Sequence, residues 1–143
     1  EVVCVSTNAD VIINDGTIKG GNSLDGAGGI HITENASVVL NNVNIVGNIA
    51  QGDDGAGIAV YDGSVLVMNG GSISDNKLLY GYYYRYPYGA LYVDNATATL
   101  NNVEICNNYF KAVTALFGKG VAIYAIDSSV TMKKCLVAEN SNE

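Results

Sequence analysis

A motif that returns at a nearly constant interval is the feature that most constrains this chain. Each copy ends on an aliphatic residue, and successive markers are 27, 28, 32 and 32 positions apart. The five markers are Ile18, Ile45, Ile73, Ile105 and Val137. A second apolar series keeps the same spacing, at Ile13, Leu40, Met68, Leu100 and Met132, and an asparagine follows the marker by three positions at Asn48, Asn76, Asn108 and Asn140. A period of this length indicates a stack of similar units, each too small to bury a core alone.

Within each copy, short stretches alternate apolar and polar residues with the period of two that is typical of a β-strand. In one stretch Ile30 and Ile32 should face inward and His31 outward, and Tyr92 should face outward in another. Each copy is then one rung of a coil, whose strands pair with their equivalents about 4.8 Å away in the next rung. The sequence predicts an all-β fold, a short right-handed parallel β-helix (solenoid) of about five rungs with two protruding loops.

The equivalent positions also predict how the rungs are joined. Three short strands per rung, such as 28–32, 37–40 and one ending at Ile45, should form three parallel sheets. Asparagines at equivalent turns tolerate left-handed backbone and can bond to the asparagines above and below, which predicts a ladder. A β-sandwich is the competing fold, but it predicts neither a constant period nor stacking of equivalent positions.

Composition limits the domain count and the partners. A chain of 143 residues fits one domain, 1–143. The net charge of −7, with six lysines and one arginine, disfavours nucleic acid and an anionic membrane surface. No apolar run approaches the roughly 20 residues of a membrane helix, so we expect no membrane insertion. Three cysteines without a C-x-x-C spacing indicate neither zinc nor a disulfide framework.

The repeats resemble those of a known group of proteins. The strands begin with Gly28-Gly29-Ile30, Ala56-Gly57-Ile58 and Gly89-Ala90-Leu91, and each copy continues to an Ile-x-x-Asn motif. This pattern resembles the Gly-Gly-Ala-Ile and Phe-x-x-Asn repeats of bacterial polymorphic outer-membrane and autotransporter adhesins, and more broadly the right-handed parallel β-helix proteins of the pectate-lyase-like group. Isoleucine replaces the phenylalanine throughout, and in the first copy Ile18 is followed by Gly21 and then Asn22. The resemblance implies an extracellular or bacterial cell-surface protein but transfers no activity.

Catalytic groups of the kind used by the enzymes in that group are sparse. Those hydrolases use paired aspartates with histidine and basic residues, and the lyases use calcium-binding carboxylates with a basic residue. This chain has one histidine and one arginine, so we predict no catalytic residues and no enzyme activity. Asp53 and Asp54 form either a solvated turn or, with Asp25, a weak calcium site, and no other cofactor is expected. Glu34, Asp62, Asp94 and Asp127 should line one edge, either for solubility or as a divalent-ion ladder.

One segment that interrupts the repeat is the best candidate for binding. Residues 80–88 hold six of the ten tyrosines, the only arginine and the only proline. Tyrosine on a loop offers rigid amphipathic area that suits sugars or a protein partner. The predicted contact residues are Tyr80, Tyr82, Tyr83, Tyr84, Arg85, Tyr86 and Tyr88. The alternative is that this loop and the apolar segment 109–118 pack together as a side core.

These observations predict a non-catalytic, secreted or surface-attached bacterial module that binds a glycan or a host or cell-surface protein through the Tyr-rich loop. Two alternatives remain open: a fragment of a polysaccharide-active lyase or hydrolase, and a structural spacer. Because neither terminus carries an amphipathic cap, we expect a piece of a longer surface protein or end-to-end self-association.

Overall fold

Seventeen short strands form the part of the chain that the computed structural model describes, which is residues 1–52, 54–79, 89–111 and 122–142. In chain order the strands are β1 Val3–Val5, β2 Asp10–Lys19, β3 Asn22–Ser23, β4 Ile30–Ile32, β5 Ser37–Val46, β6 Ile49–Ala50, β7 Ile58–Tyr61, β8 Val65–Ser74, β9 Lys77–Leu79, β10 Leu91–Asp94, β11 Thr97–Asn101, β12 Glu104–Cys106, β13 Tyr109–Lys111, β14 Ile123–Ile126, β15 Ser129–Lys133, β16 Leu136–Ala138 and β17 Ser141–Asn142. No helix occurs in these ranges.

The strands form three parallel sheets that wrap around one interior. Sheet A contains β1, β4, β7, β10 and β14, and sheet C contains β3, β6, β9, β13 and β17. Sheet B contains the remaining seven strands, and every pairing in the three sheets is parallel. Each rung therefore contributes one strand to sheet A, one or two strands to sheet B and one strand to sheet C. About four complete turns separate the first rung from the fifth. The predicted all-β parallel solenoid is confirmed.

The register places equivalent residues of the repeat directly above one another. Ile18 pairs with Ile45, Ile45 with Ile73, Ile73 with Ile105, and Ile105 with Val137. Ile45, Ile73 and Ile105 are fully buried, as predicted, whereas Val137 and Met132 of the fifth rung are 46% and 36% exposed. An interior side chain is covered by the rungs on both sides, and within the described residues the fifth rung has a neighbour on one side only.

The division into sheets differs from the prediction in one respect. The second and third predicted strands of a rung are not in separate sheets, because they run on as one strand of sheet B in β2, β5 and β8. A column of left-handed residues bends this sheet in the middle, at Asp15, Asn42, Gly70, Asn102 and Lys134. One left-handed residue redirects the chain without ending the parallel pairing on either side. The strands of sheet C instead begin directly after the asparagine at the next corner, as β6 does after Asn48.

That corner is held by a buried asparagine ladder, as predicted, but the ladder asparagines are not themselves in left-handed backbone. The left-handed residue is the one before each of them, such as Gly47 and Asp75. The side-chain nitrogen of Asn48 donates to Oδ1 of Asn76 at 3.0 Å, Asn76 to Asn108 at 3.1 Å, and Asn108 to Asn140 at 2.9 Å. Each Oδ1 also accepts the backbone N–H of the previous asparagine, as Asn76 does from Asn48 at 3.0 Å. In the first rung Gly21 takes this position, and its N–H donates to Oδ1 of Asn48. The ladder satisfies polar groups that water does not reach.

A second ladder lies at the surface of sheet B. Asn41 donates to Asn14 at 2.8 Å, Asn69 to Asn41 at 2.9 Å, and Asn101 to Asn69 at 2.9 Å. Lys133 stands in register with Asn101 and ends the series in the fifth rung. These side chains are half-buried or exposed, so water can replace each bond.

The buried column makes a quantitative prediction for Ile73. Replacing Ile73 by Ala should lower the free energy of unfolding by about 2–5 kcal/mol, because a fully buried aliphatic side chain is truncated between two packed rungs. The control is Ile12→Ala, since Ile12 is 67% exposed and should cost less than about 0.5 kcal/mol. Urea unfolding followed by circular dichroism measures both. Equal losses for the two variants would contradict the interior column.

Replacing an asparagine by alanine should cost much more stability in the buried ladder than in the surface ladder. Asn76→Ala removes the partners of Asn48 and leaves the buried carbonyl of Ile45 without its donor. At about 1–3 kcal/mol for each buried unsatisfied group, the loss should exceed 3 kcal/mol. Asn41→Ala in the surface ladder should cost less than about 1 kcal/mol, because water satisfies the neighbouring amides. A small loss for Asn76→Ala by urea unfolding would show that the buried ladder is not a source of stability.

Candidate functional site

The outer face of sheet A carries the most distinctive surface of the described residues. One outward column has Cys4, His31, Ala59, Tyr92 and Tyr124 in register across five rungs. Two positions further along the strands, Tyr61, Asp94 and Ile126 form a second outward column. Because successive side chains of a strand point to opposite faces, these residues lie outside the coil while Ile32, Val60 and Val93 fill its interior.

Four rings follow one another along this face. The ring centroids of His31 and Tyr61 lie 5.2 Å apart, those of Tyr61 and Tyr92 lie 5.2 Å apart, and those of Tyr92 and Tyr124 lie 5.9 Å apart. Ala59 is the small residue of the column between His31 and Tyr92, and the ring of Tyr61 from the adjacent column bridges the two rings on either side. We call these four residues, one from each of rungs two to five, the aromatic row.

The centre of the aromatic row is more buried than the outward position of Tyr92 suggests. Tyr92 is 3% exposed and packs with Ala27 and Ala59, while Tyr61 and Tyr124 are half-buried against this cluster. The hydroxyl of Tyr92 donates to Oδ2 of Asp94 at 2.9 Å. Tyr92 is therefore buried and held in one orientation, and the partly exposed rings of the aromatic row are those of His31, Tyr61 and Tyr124.

Carboxylates border the aromatic row. A cavity of about 220 Å³ beside its first ring is lined by Glu1, Cys4, Asp25, Gly26, His31 and Asp54. Asp25 and Asp54, two of the predicted calcium ligands, thus line one cavity, and the third, Asp53, lies outside the described residues. Among the described residues no three His, Cys, Asp or Glu side chains are arranged to hold a metal ion. Calcium binding by the three aspartates stays a prediction.

The opposite border is formed by the turns that lead from sheet A to sheet B. Glu34 and Asp62 are exposed there in left-handed backbone, accepting hydrogen bonds from the hydroxyls of Thr7 and Thr33 at 2.6 and 2.9 Å. Asp127 occupies the equivalent turn of the fifth rung. The prediction that Asp94 belongs to this edge is wrong, because Asp94 ends β10 in register with Tyr61 and so lies within the face itself.

The predicted contact residues Tyr80, Tyr82, Tyr83, Tyr84, Arg85, Tyr86 and Tyr88 all lie outside the described residues, as do most residues of the second apolar loop. Their place in the chain relates them to sheet A. Residues 80–88 lie between β9 of sheet C and β10 of sheet A, so the Tyr-rich segment leads into the strand that carries Tyr92. The alternation of the sequence placed Tyr92 on the outer face but gave no signal for its contact with Tyr61.

A second concave surface lies at the bend of sheet B. It has a volume of about 330 Å³ and is lined by Asn44, Ser72, Asn102, Glu104, Lys134 and Leu136, among others. Its carboxylate and its ammonium group are both exposed to solvent. It holds no aromatic ring, which distinguishes it from the outer face of sheet A.

The three cysteines are free thiols on different parts of the coil. Cys4 is exposed beside His31, and Cys135 lies at the bend of sheet B. Burial raises the pKa of the Cys106 thiol, and the nearby carboxylates of Glu104, Asp75 and Glu139 raise it further. A raised pKa reduces the thiolate fraction at neutral pH and disfavours Cys106 as a nucleophile.

The direction of the pKa shift of Cys106 can be measured by comparing the folded with the unfolded chain. In a variant with Cys4→Ala and Cys135→Ala, the rate of alkylation of Cys106 by iodoacetamide should rise with pH to a midpoint above that of the same protein unfolded in urea. Unfolding hydrates the thiol and separates it from the three carboxylates. A folded-state midpoint at or below the unfolded one would contradict the assigned environment.

Comparisons with known proteins add no assignment to this geometry. Neither a protein family, nor a curated protein, nor a solved structure was found to match the chain. The described residues also include no helix that is long and apolar enough to cross a membrane. The strand pairing itself defines the fold as a parallel β-solenoid.

Proposed function

We propose that this chain is a non-catalytic carbohydrate-binding module of a secreted or cell-surface bacterial protein, built as a right-handed parallel β-helix. The aromatic row is the observation that carries the proposal. The partly exposed rings of rungs two, three and five, with the buried Tyr92 packed beside them, give a rigid apolar and hydrogen-bonding surface. Aromatic surface with a few polar groups is typical of ligand sites. A right-handed path is the strong rule for crossovers between parallel strands.

The rigidity of the aromatic row favours binding. Tyr92 is buried and its hydroxyl is bonded to Asp94, so the row does not have to be ordered when a ligand arrives. Tyr61 and Tyr124 then offer their partly exposed rings at little cost in side-chain entropy. The Tyr-rich segment 80–88 precedes the same strand in the chain.

The chemistry of the described face supports binding over catalysis. It carries one histidine, and no lysine or arginine lies on its strands within the described residues. A lyase of the group that the chain resembles would use a basic residue as its catalytic base. A structural spacer becomes an outcome of the test, and an enzyme fragment stays an alternative prediction.

The test is a glycan array with the wild type and two matched variants. Tyr61→Ala combined with Tyr124→Ala should abolish glycan binding, because it removes two accessible rings of the row. Tyr109→Ala, which removes a half-buried ring from sheet C, should leave binding unchanged. Melting temperatures by circular dichroism should fall by only a few degrees in both, since each ring is partly exposed.

A third variant tests the loop. Tyr83→Ser combined with Tyr84→Ser should weaken binding with little change in melting temperature if the Tyr-rich segment contacts the ligand. A large fall in melting temperature would instead indicate a side core. If the folded wild type binds no glycan, or if the Tyr61 and Tyr124 variant binds as the wild type does, the proposal is wrong and a spacer role is favoured.

A further inference from the structure

The charges of the described residues are divided unequally among the three sheets. The five described lysines all lie on sheets B and C or on the bend of sheet B, at Lys19, Lys77, Lys111, Lys133 and Lys134. Seven carboxylates surround sheet A, at Glu1, Asp25, Glu34, Asp54, Asp62, Asp94 and Asp127. The other two cations of the chain, Arg85 and Lys119, lie outside the described residues.

The carboxylate of Asp94 is the one placed within the aromatic row. It stands in register with Tyr61 on one side and Ile126 on the other, and it accepts a hydrogen bond from the Tyr92 hydroxyl. One carboxylate oxygen is thereby engaged, and a carboxylate has further acceptor sites. Asp62 on one border, and Asp25 beside His31 on the other, place further negative charge on both sides of the row.

Aromatic rings and carboxylates together favour a particular class of ligand. A protonated amine is attracted to a ring face and forms charge-assisted hydrogen bonds with carboxylates. A polymer of uronic acids would place its own carboxylates against those of the protein, and the repulsion between these like charges disfavours its binding. Neutral sugars gain hydrogen bonds from the same carboxylates but no net charge attraction.

We infer that the aromatic row binds a linear glycan with free amino groups, an amino sugar polymer, in preference to a neutral glycan and against an acidic one. This inference rests on the proposed function and adds the charge class of the ligand. A repeating polymer is favoured over a basic protein segment because the partly exposed rings of His31, Tyr61 and Tyr124 stand on rungs two, three and five of one face, with the buried Tyr92 on the rung between the last two. Rings that recur along one direction suit a ligand that is itself a repeat.

The experiment compares three oligosaccharides of equal length by isothermal titration calorimetry. They are β-1,4-linked oligomers of glucosamine and N-acetylglucosamine, and an oligomer of galacturonic acid, each titrated into the intact chain at about pH 6, where carboxylates are ionised. The glucosamine oligomer should bind about tenfold or more tightly than the N-acetylated one. The galacturonate oligomer should bind most weakly. Raising the salt concentration should reduce the difference between the first two, because screening weakens charge attraction.

Asp94→Asn is the matched variant, because the amide keeps the shape and can still accept from Tyr92. It should reduce the preference for glucosamine over N-acetylglucosamine several-fold, because loss of the charge weakens binding of the glucosamine oligomer far more than binding of the neutral oligomer. Glu104→Gln, which removes a carboxylate from the outer face of sheet B, should leave the preference as in the wild type. Equal effects of the two variants would show that net charge alone sets the preference and would overturn the inference.

The outcomes separate the inference from the proposed function. If the neutral or the acidic oligomer binds as tightly as the glucosamine oligomer, the inference is wrong and carbohydrate binding stands. If no oligosaccharide binds and the glycan array is also negative, both are wrong. If a lysine-rich peptide binds and no glycan does, the face recognises protein, and both are again wrong.

Discussion

The buried asparagine ladder is the interaction on which the rest of the coil depends. At the corner between sheets B and C the chain turns sharply, and backbone carbonyls such as that of Ile45 face an interior without water. The amide of Asn76 meets this demand in three directions, because it donates to Ile45 and to Asn108 and accepts from Asn48. Since buried polar groups without partners are costly, the ladder fixes the position of every rung relative to the next. The apolar columns then supply most of the burial, but without directional preference of their own.

A uniform interior leaves the outer faces free to differ. The three sheets share one stacking rule, yet sheet A carries rings and carboxylates, and sheet B carries an amide ladder and a bend. These differences cost little stability because an outward side chain contacts its neighbours only along its own face. The aromatic row shows how such a face becomes organised: the small Ala59 leaves room for Tyr61, whose ring then lies 5.2 Å from the rings of both His31 and Tyr92. A solenoid can therefore carry different chemistry on each outer face while keeping one interior.

The sequence predicted the elements that repeat and missed those that depend on unlike neighbours. The spacing between Ile45 and Asn48 recurs in the next three rungs, so the stacking of these residues followed from the period. The assignment of the second and third strands to separate sheets was wrong, because the left-handed bend at Asn42 looks like a turn in the sequence but preserves the pairing. The burial of Tyr92 was also missed, since its ring packs against unlike neighbours such as Ala27, Ala59 and Tyr61, which no period reveals. Asp94 was assigned to a turn because β10 continues one residue beyond the expected end of the strand at Val93.

The connection from sheet C to sheet A absorbs nearly all of the variation in repeat length. It spans residues 24–29 and 51–57 in the first two rungs and lengthens to residues 80–90 and 112–122 in the next two. The spacing from the marker isoleucine to the ladder asparagine does not change at all. An insertion at this one corner therefore alters neither ladder nor any interior column. Loops of different length can therefore be accommodated at this corner without a change in the stacked core. Foreign loops grafted there should be displayed at the edge of sheet A.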